Sequence, residues 1–170
     1  MKKITIIAGN CVVESSEISF KTAKFLNDLS IKMDFDLVFK SSFKKDNRSS
    51  VDYFNGLGLD RCNIIFKELK KEFNFKILTD FHNLYELEHE IIDVIDIVQV
   101  PAYLCMQTEL TLAMGLKKKQ INIKKGQFLS PEDTLKMIKK IESTGNKSIS
   151  ITERGSCFGY RDLVVDPRSF

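Results

Sequence analysis

The 170-residue chain carries 26 Lys and Arg against 23 Asp and Glu, a net charge of +3, and is 43% hydrophobic. That suits one globular domain with a real core. The basic excess is too small and too interspersed to mark a nucleic-acid binder, and no apolar run reaches the ~18 residues of a membrane span. Cys11, Cys62, Cys105 and Cys157 are widely spaced with no Cys-x-x-Cys, which argues against a zinc knuckle or a disulfide framework and points to a reducing cytoplasm.

The first residues, Met-Lys-Lys-Ile-Thr-Ile-Ile-Ala-Gly, read as a strand and not as a signal peptide, because the apolar run is short and no small-x-small site follows. Short β-branched runs then alternate with segments of helical period. Strands are expected at 4–8, 36–40, 76–79, 97–100, 120–123 and 148–152. Helices are expected at 16–30 and 59–73, where apolar residues recur every three or four positions. Weaker helical patterns occupy 84–94 and 109–116. Ser130-Pro131-Glu132-Asp133 supplies a cap and a first-turn proline for a helix over 134–143, which Gly145-Asn146 ends.

The stretch Phe39-Lys-Ser-Ser-Phe-Lys-Lys-Asp-Asn-Arg-Ser-Ser50 is the densest in chemistry. It follows an apolar strand and sets Lys40, Lys44, Lys45 and Arg48 among Ser41, Ser42, Asn47, Ser49 and Ser50. Arg gives bidentate bonds to phosphate oxygens, Lys a point charge, and Ser and Asn neutral donors. A small, multiply anionic ligand is expected there. Polar or reactive groups recur at the other strand ends: Cys11 and Glu14, Asp80 and His82, Gln99, Lys124 and Lys125, Glu153 and Arg154. Asp80 reads as a site residue ahead of the alternative, a helix cap; His82 could be a satisfied core histidine, Lys125 could be a surface charge, and His89 is expected to face solvent. Gly155 and Gly159 are expected to shape a loop.

Six βα units leave an open doubly wound sheet or part of a (β/α)8 barrel. Groups offered by nearly every strand end suit the C-terminal mouth of a barrel better than one crevice. A whole barrel needs ~250 residues. The expected class is therefore α/β, an incomplete (β/α)8 TIM-barrel type of about six units, with residues 1–170 as a single partial domain.

Ile7-Ala-Gly-Asn-Cys-Val-Val-Glu-Ser15, Phe39-Lys-Ser-Ser, Asn47-Arg-Ser-Ser50, Leu78-Thr-Asp-Phe-His82 and Gln99-Val-Pro-Ala-Tyr-Leu-Cys105 resemble 3-deoxy-manno-octulosonate 8-phosphate synthase, also called 2-dehydro-3-deoxyphosphooctonate aldolase. So do Asn122-Ile-Lys-Lys-Gly-Gln-Phe-Leu-Ser-Pro131, Thr152-Glu-Arg-Gly155 and Phe158-Gly-Tyr160. The resemblance implies a cytoplasmic transferase that condenses phosphoenolpyruvate with arabinose 5-phosphate and releases phosphate, for the inner sugar of lipopolysaccharide. It implies a homo-oligomer, typically a tetramer, with no nucleic-acid or membrane partner. Lys40, Lys45, Lys124 and Arg154 would hold phosphoenolpyruvate, with Ser42, Asp80 and Gln99 nearby. Asn47, Arg48 and Ser49 would hold the sugar and its phosphate, with Asn47 beside the reacting groups and Lys45 as the proton donor to the aldehyde oxygen.

Metal-dependent members of that family have Cys where this chain has Cys11, which implies a divalent ion. Their other ligands follow the seventh and eighth strands, so Cys11 is the sole ligand expected here. Met106 and Asn55 stand where the family has Arg, Lys44 and Asp46 where it has Asp and Ala, and Asn10 where it has Pro or Met. These departures and the length resemble relaxed constraint or a C-terminally truncated frame. The chain alone is expected to be inactive or nearly so. The alternative is a phosphate-binding subunit that needs a partner chain, or a sister enzyme using another aldose.

Overall fold

The computed structural model describes residues 3–170. Its chain divides into two compact units, Met1–Thr79 with Glu88–Asp96, and Asp80–Leu87 with Ile97–Phe170.

The first unit holds strands β1 (Thr5–Ala8), β2 (Asp36–Lys40) and β3 (Lys76–Asp80) and helices α1 (Ser16–Met33), α2 (Leu59–Phe73) and α3 (Ile91–Val94). Its strands run parallel, with Ala8 beside Phe39 and Lys40 beside Leu78. Helix α1 starts where the Ser15 hydroxyl accepts the Ile18 N–H, and it stops where Asp34 turns left-handed. Helix α2 buries Cys62, Ile65, Phe66 and Leu69, one face at helical spacing. Phe75 stacks on Phe39 and on Phe73, with ring centroids 5.2 and 5.5 Å apart. The Lys70 ammonium reaches both Asp96 oxygens at 2.8 Å, and Asp96 Oδ2 accepts the Ile77 N–H at 2.8 Å. That ion pair fixes the end of the α3 segment against the start of β3.

The second unit holds parallel β4 (Ile97–Val100), β5 (Gln120–Lys124) and β6 (Ile149–Thr152), with α4 (Thr108–Leu116) and α5 (Thr134–Glu142). An antiparallel hairpin, β7 (Ser156–Phe158) with β8 (Asp162–Val164), follows β6. Ser130 and Asp133 form a reciprocal capping box ahead of α5. Gly115 lets α4 and α5 approach, since a Cβ there would lie 2.6 Å from Thr144 Oγ1. Parallel strands alternating with helices over six units make this an incomplete (β/α)8-barrel type of fold.

Three expectations change. Residues 84–94 are not one helix but a 3-10 turn, Tyr85–Glu88, and the single-turn α3. Side chains divert the backbone: Asn83 Oδ1 accepts the Glu86 N–H, and His89 Nδ1 accepts the Ile91 N–H. His89 does not simply face solvent. Its ring is half-buried, and with Nδ1 accepting, Nε2 donates to Asp60 at 3.0 Å. The β7–β8 hairpin has no counterpart in the sequence pattern.

Gly9, just after β1, fixes how closely that segment passes the end of β2. A Cβ on Gly9 would sit 2.1 Å from the Lys40 carbonyl oxygen. Gly9→Ala is expected to destabilise the chain by about 1–3 kcal/mol, the range for overpacking, read as a lower urea midpoint. An unchanged midpoint would contradict this close approach.

Candidate active site

In the first unit the site begins where β2 ends. Val38 and Phe39 are buried, so the strand is anchored up to Lys40, whose side chain is half-buried at its C-terminal end. Ser42 is buried next, and its carbonyl accepts the Val13 N–H at 3.0 Å while its N–H donates to the Cys11 carbonyl at 3.3 Å. These backbone bonds hold the Ser42 hydroxyl where two ammonium groups meet it: Lys40 Nζ at 3.0 Å and Lys45 Nζ at 2.6 Å. Lys40 Nζ also donates to the Cys11 carbonyl at 3.3 Å. Two ammonium groups around one oxygen offer convergent charged donors to an anion bound there.

The following loop is tied by its backbone. The Lys45 N–H donates to the Asn55 carbonyl at 2.5 Å and the Gly58 N–H to the Phe43 carbonyl at 3.1 Å. Lys44 pairs with Asp46 at 3.0 Å, so the acidic group that departs from the family pattern is neutralised locally. Asn47, Arg48 and Ser49 are exposed on this loop. Arg48 borders an open hollow of about 620 Å³ that Val12, Glu14, Ile18, Tyr53 and Phe54 also line. An aromatic-walled hollow with one guanidinium on its rim can seat an organic ligand bearing an anionic end.

In the second unit, strand alternation puts polar side chains on one face. Gln99, Asn122 and Ser150 are neighbours in register, and Lys124 lies beside Thr152 one layer on. Asn122 bonds Ser150 Oγ at 3.1 Å and Thr152 Oγ1 at 2.9 Å, forming a polar ladder under Lys124. Gln99 Nε2 is buried with no hydrogen-bond partner among the described residues. A buried donor in that state is a place for a ligand acceptor or water. Arg154 is exposed just beyond β6.

Asp80 ends β3 and is buried, paired with His82 Nε2 at 3.6 Å; it does not cap a helix. His82 Nδ1 lies 3.3 Å from Glu86 Oε2, which also accepts the His82 backbone N–H at 2.6 Å. Burial alone would lower the His82 pKa. Hydrogen bonds to Asp80 and Glu86, reinforced by their charges, outweigh that and raise it to about 9. His82 is thus an imidazolium at neutral pH, held between two carboxylates.

Lys125 is not a surface charge. Its side chain is 1% exposed, because three carbonyls, a hydroxyl and Glu153 satisfy its ammonium inside the second unit. The sequence signal for the Asn122 ladder was the polar–apolar alternation of Gln120–Lys124 and Ser148–Thr152. For Glu86 it was the four-residue spacing from His82.

Cys11 is exposed, while burial pushes the Cys62 thiol up to about 12 and raises that of Cys105. Among the described residues no group of three or more His, Cys, Asp or Glu could hold a metal ion. None of the described helices is long and apolar enough to cross a membrane.

These strand-end cations on a succession of parallel βα units define a class, and the chain belongs to the DAHP synthetase I family, which matches residues 2–168. Within it, the chain is similar to proteins named 2-dehydro-3-deoxyphosphooctonate aldolase. It is 42% identical to that of Syntrophobacter fumaroxidans over 96% of this chain and 57% of the relative. It is 43% identical to that of Brucella anthropi, over 96% of this chain and 59% of the relative. With that of Campylobacter jejuni subsp. doylei the identity is 42%, over 99% and 67%. The chain thus spans about three fifths of the length of the curated relatives it matches.

The His82 shift has a defined sign. Its folded pKa lies above the usual 6.5, so the stabilisation is complete below about pH 6.5 and is lost as pH rises through about 9. The stability gap between the native chain and His82→Gln should therefore be widest below pH 6.5 and shrink above pH 9, measured by urea unfolding across that range. A gap independent of pH would show that His82 is not charged in the folded chain.

Proposed function

We propose that this chain serves the condensation of phosphoenolpyruvate with D-arabinose 5-phosphate and water, giving 3-deoxy-D-manno-octulosonate 8-phosphate and phosphate. The observation that carries the proposal is the Lys40–Ser42–Lys45 cluster, two ammonium groups held on one buried hydroxyl. The names of the relatives point to the same reaction. The enol carbon forms a bond to the aldehyde carbon while water adds at the neighbouring carbon, and the carbon–oxygen bond to phosphate then breaks. Both organic substrates are anionic, so positioning and fixed positive charge are what the protein must supply.

In the first unit, Lys40, Ser42 and Lys45 bind anionic oxygens of phosphoenolpyruvate, and Lys45 donates the proton that the aldehyde oxygen takes up. Asn47 orients the aldose beside Lys45, and Arg48 and Ser49 bind its phosphate. The hollow beside Arg48 has room for such a ligand. Lys124, Arg154, Gln99 and Asp80 of the second unit are assigned to phosphoenolpyruvate by the family resemblance, and the buried Gln99 Nε2, without a hydrogen-bond partner among the described residues, supports a ligand acceptor there. The proposed setting is a cytoplasmic homo-oligomer, in keeping with four thiols unpaired in the structure.

Calorimetric titration with phosphoenolpyruvate tests this, since binding asks only for groups this chain carries. Micromolar-to-millimolar binding is expected. Lys40→Ala or Lys45→Ala should weaken it by about 1.5–3 kcal/mol, the range for a hydrogen bond to a charged group. Absence of binding, or binding indifferent to both substitutions, would remove the basis of the proposal.

A further inference from the structure

Lys125 takes no part in the reaction proposed above, yet it is the most completely enclosed cation described. Its Nζ donates to the carbonyl oxygens of Gly155 at 2.8 Å, Leu129 at 3.2 Å and Gly126 at 3.4 Å, and to Ser156 Oγ at 3.4 Å. Glu153 Oε1 lies 3.5 Å away. That same oxygen accepts the backbone N–H of Arg154 at 3.0 Å and of Gly155 at 2.5 Å. A buried ammonium and a nearly buried carboxylate therefore grip the backbone around Arg154. The turn has little freedom to leave this path. Gly155 has φ +80°, and a Cβ on it would lie 2.9 Å from the Val164 carbonyl oxygen. The Lys125 N–H bonds the Thr152 carbonyl at 2.9 Å, and the Cys157 N–H bonds the Gln127 carbonyl at 2.9 Å, so both flanks are tied as well.

Burying an ammonium is costly unless its hydrogens are all engaged, and a solvated lysine would organise none of this backbone. We propose that Lys125 and Glu153 are positioning residues: they set the direction in which the turn after β6 presents the Arg154 guanidinium to an anionic substrate. A guanidinium is a planar fork whose bidentate contacts depend on its direction, so a small rotation of the backbone beneath it forfeits them. This inference rests on the assignment of Arg154 to phosphoenolpyruvate made above.

The test titrates phosphoenolpyruvate into the native chain and into Lys125→Met, Glu153→Ala, Arg154→Ala and the double variant Lys125→Met/Arg154→Ala. Amide hydrogen exchange is followed over residues 153–157 in parallel. Lys125→Met and Glu153→Ala should each weaken binding about tenfold or more, with the double variant no weaker than Arg154→Ala alone. Exchange at 153–157 should accelerate while protection in α2 stays unchanged. Additive losses in the double variant, or native exchange at 153–157, would overturn the proposal. If Lys125→Met does not fold, Glu153→Ala gives the same decision. If Arg154→Ala binds phosphoenolpyruvate as the native chain does, the assignment of Arg154 falls, and the exchange rates at 153–157 alone decide whether the pair positions the turn.

Discussion

Two ammonium groups donate to the one hydroxyl of Ser42, and the first unit is arranged to make that crowding tolerable. Lys40 is the last residue of a strand whose two preceding side chains, Val38 and Phe39, are buried, so it cannot swing away with its backbone. Ser42 is held through its own N–H and carbonyl by the segment after β1. Gly9 permits that segment to pass close to the Lys40 carbonyl, and Phe43 anchors the chain just beyond. Packing and backbone hydrogen bonds thus hold the two ammonium groups at one place. An anion bound there is attracted by both.

The second unit handles charge differently. Its buried cations, Lys125 and His82, each have carboxylates beside them, and those carboxylates are in turn bonded to backbone N–H groups. Removing ions from water is costly, and carboxylates beside these cations offset part of that cost. The carboxylates in turn bond backbone N–H groups of irregular segments, those of His82, Arg154 and Gly155. Buried charge in this unit gives shape to loops that have no regular hydrogen-bond ladder of their own. Arg154 is exposed and Lys124 half-buried at the ends of β6 and β5 in that framework.

Membership of the DAHP synthetase I family brings these features together, because its similarity runs through residues 2–168 and so includes both units. The relatives are longer, and the substrates assigned above therefore rest on the chemistry of the residues present together with the names those relatives carry. The cation cluster of the first unit and the polar ladder of the second are each legible on their own terms.

Much of this was readable from the order of residues. Period-two and period-3.6 hydrophobicity depends only on neighbours in the chain, so β2, β4 and α2 lie where their patterns put them. The Lys, Arg and Ser content of 40–50 likewise singled out the segment in which Lys40 and Lys45 meet Ser42, because residue chemistry needs no coordinates. Lys125 and His82 were not decided that way. Whether a lysine is solvated or enclosed depends on carbonyls thirty residues distant, such as that of Gly155. Whether a histidine is charged depends on which carboxylates fold against it. The break at 89–90 and the β7–β8 hairpin also came from side-chain-to-backbone bonds and long-range packing, which local periodicity does not encode.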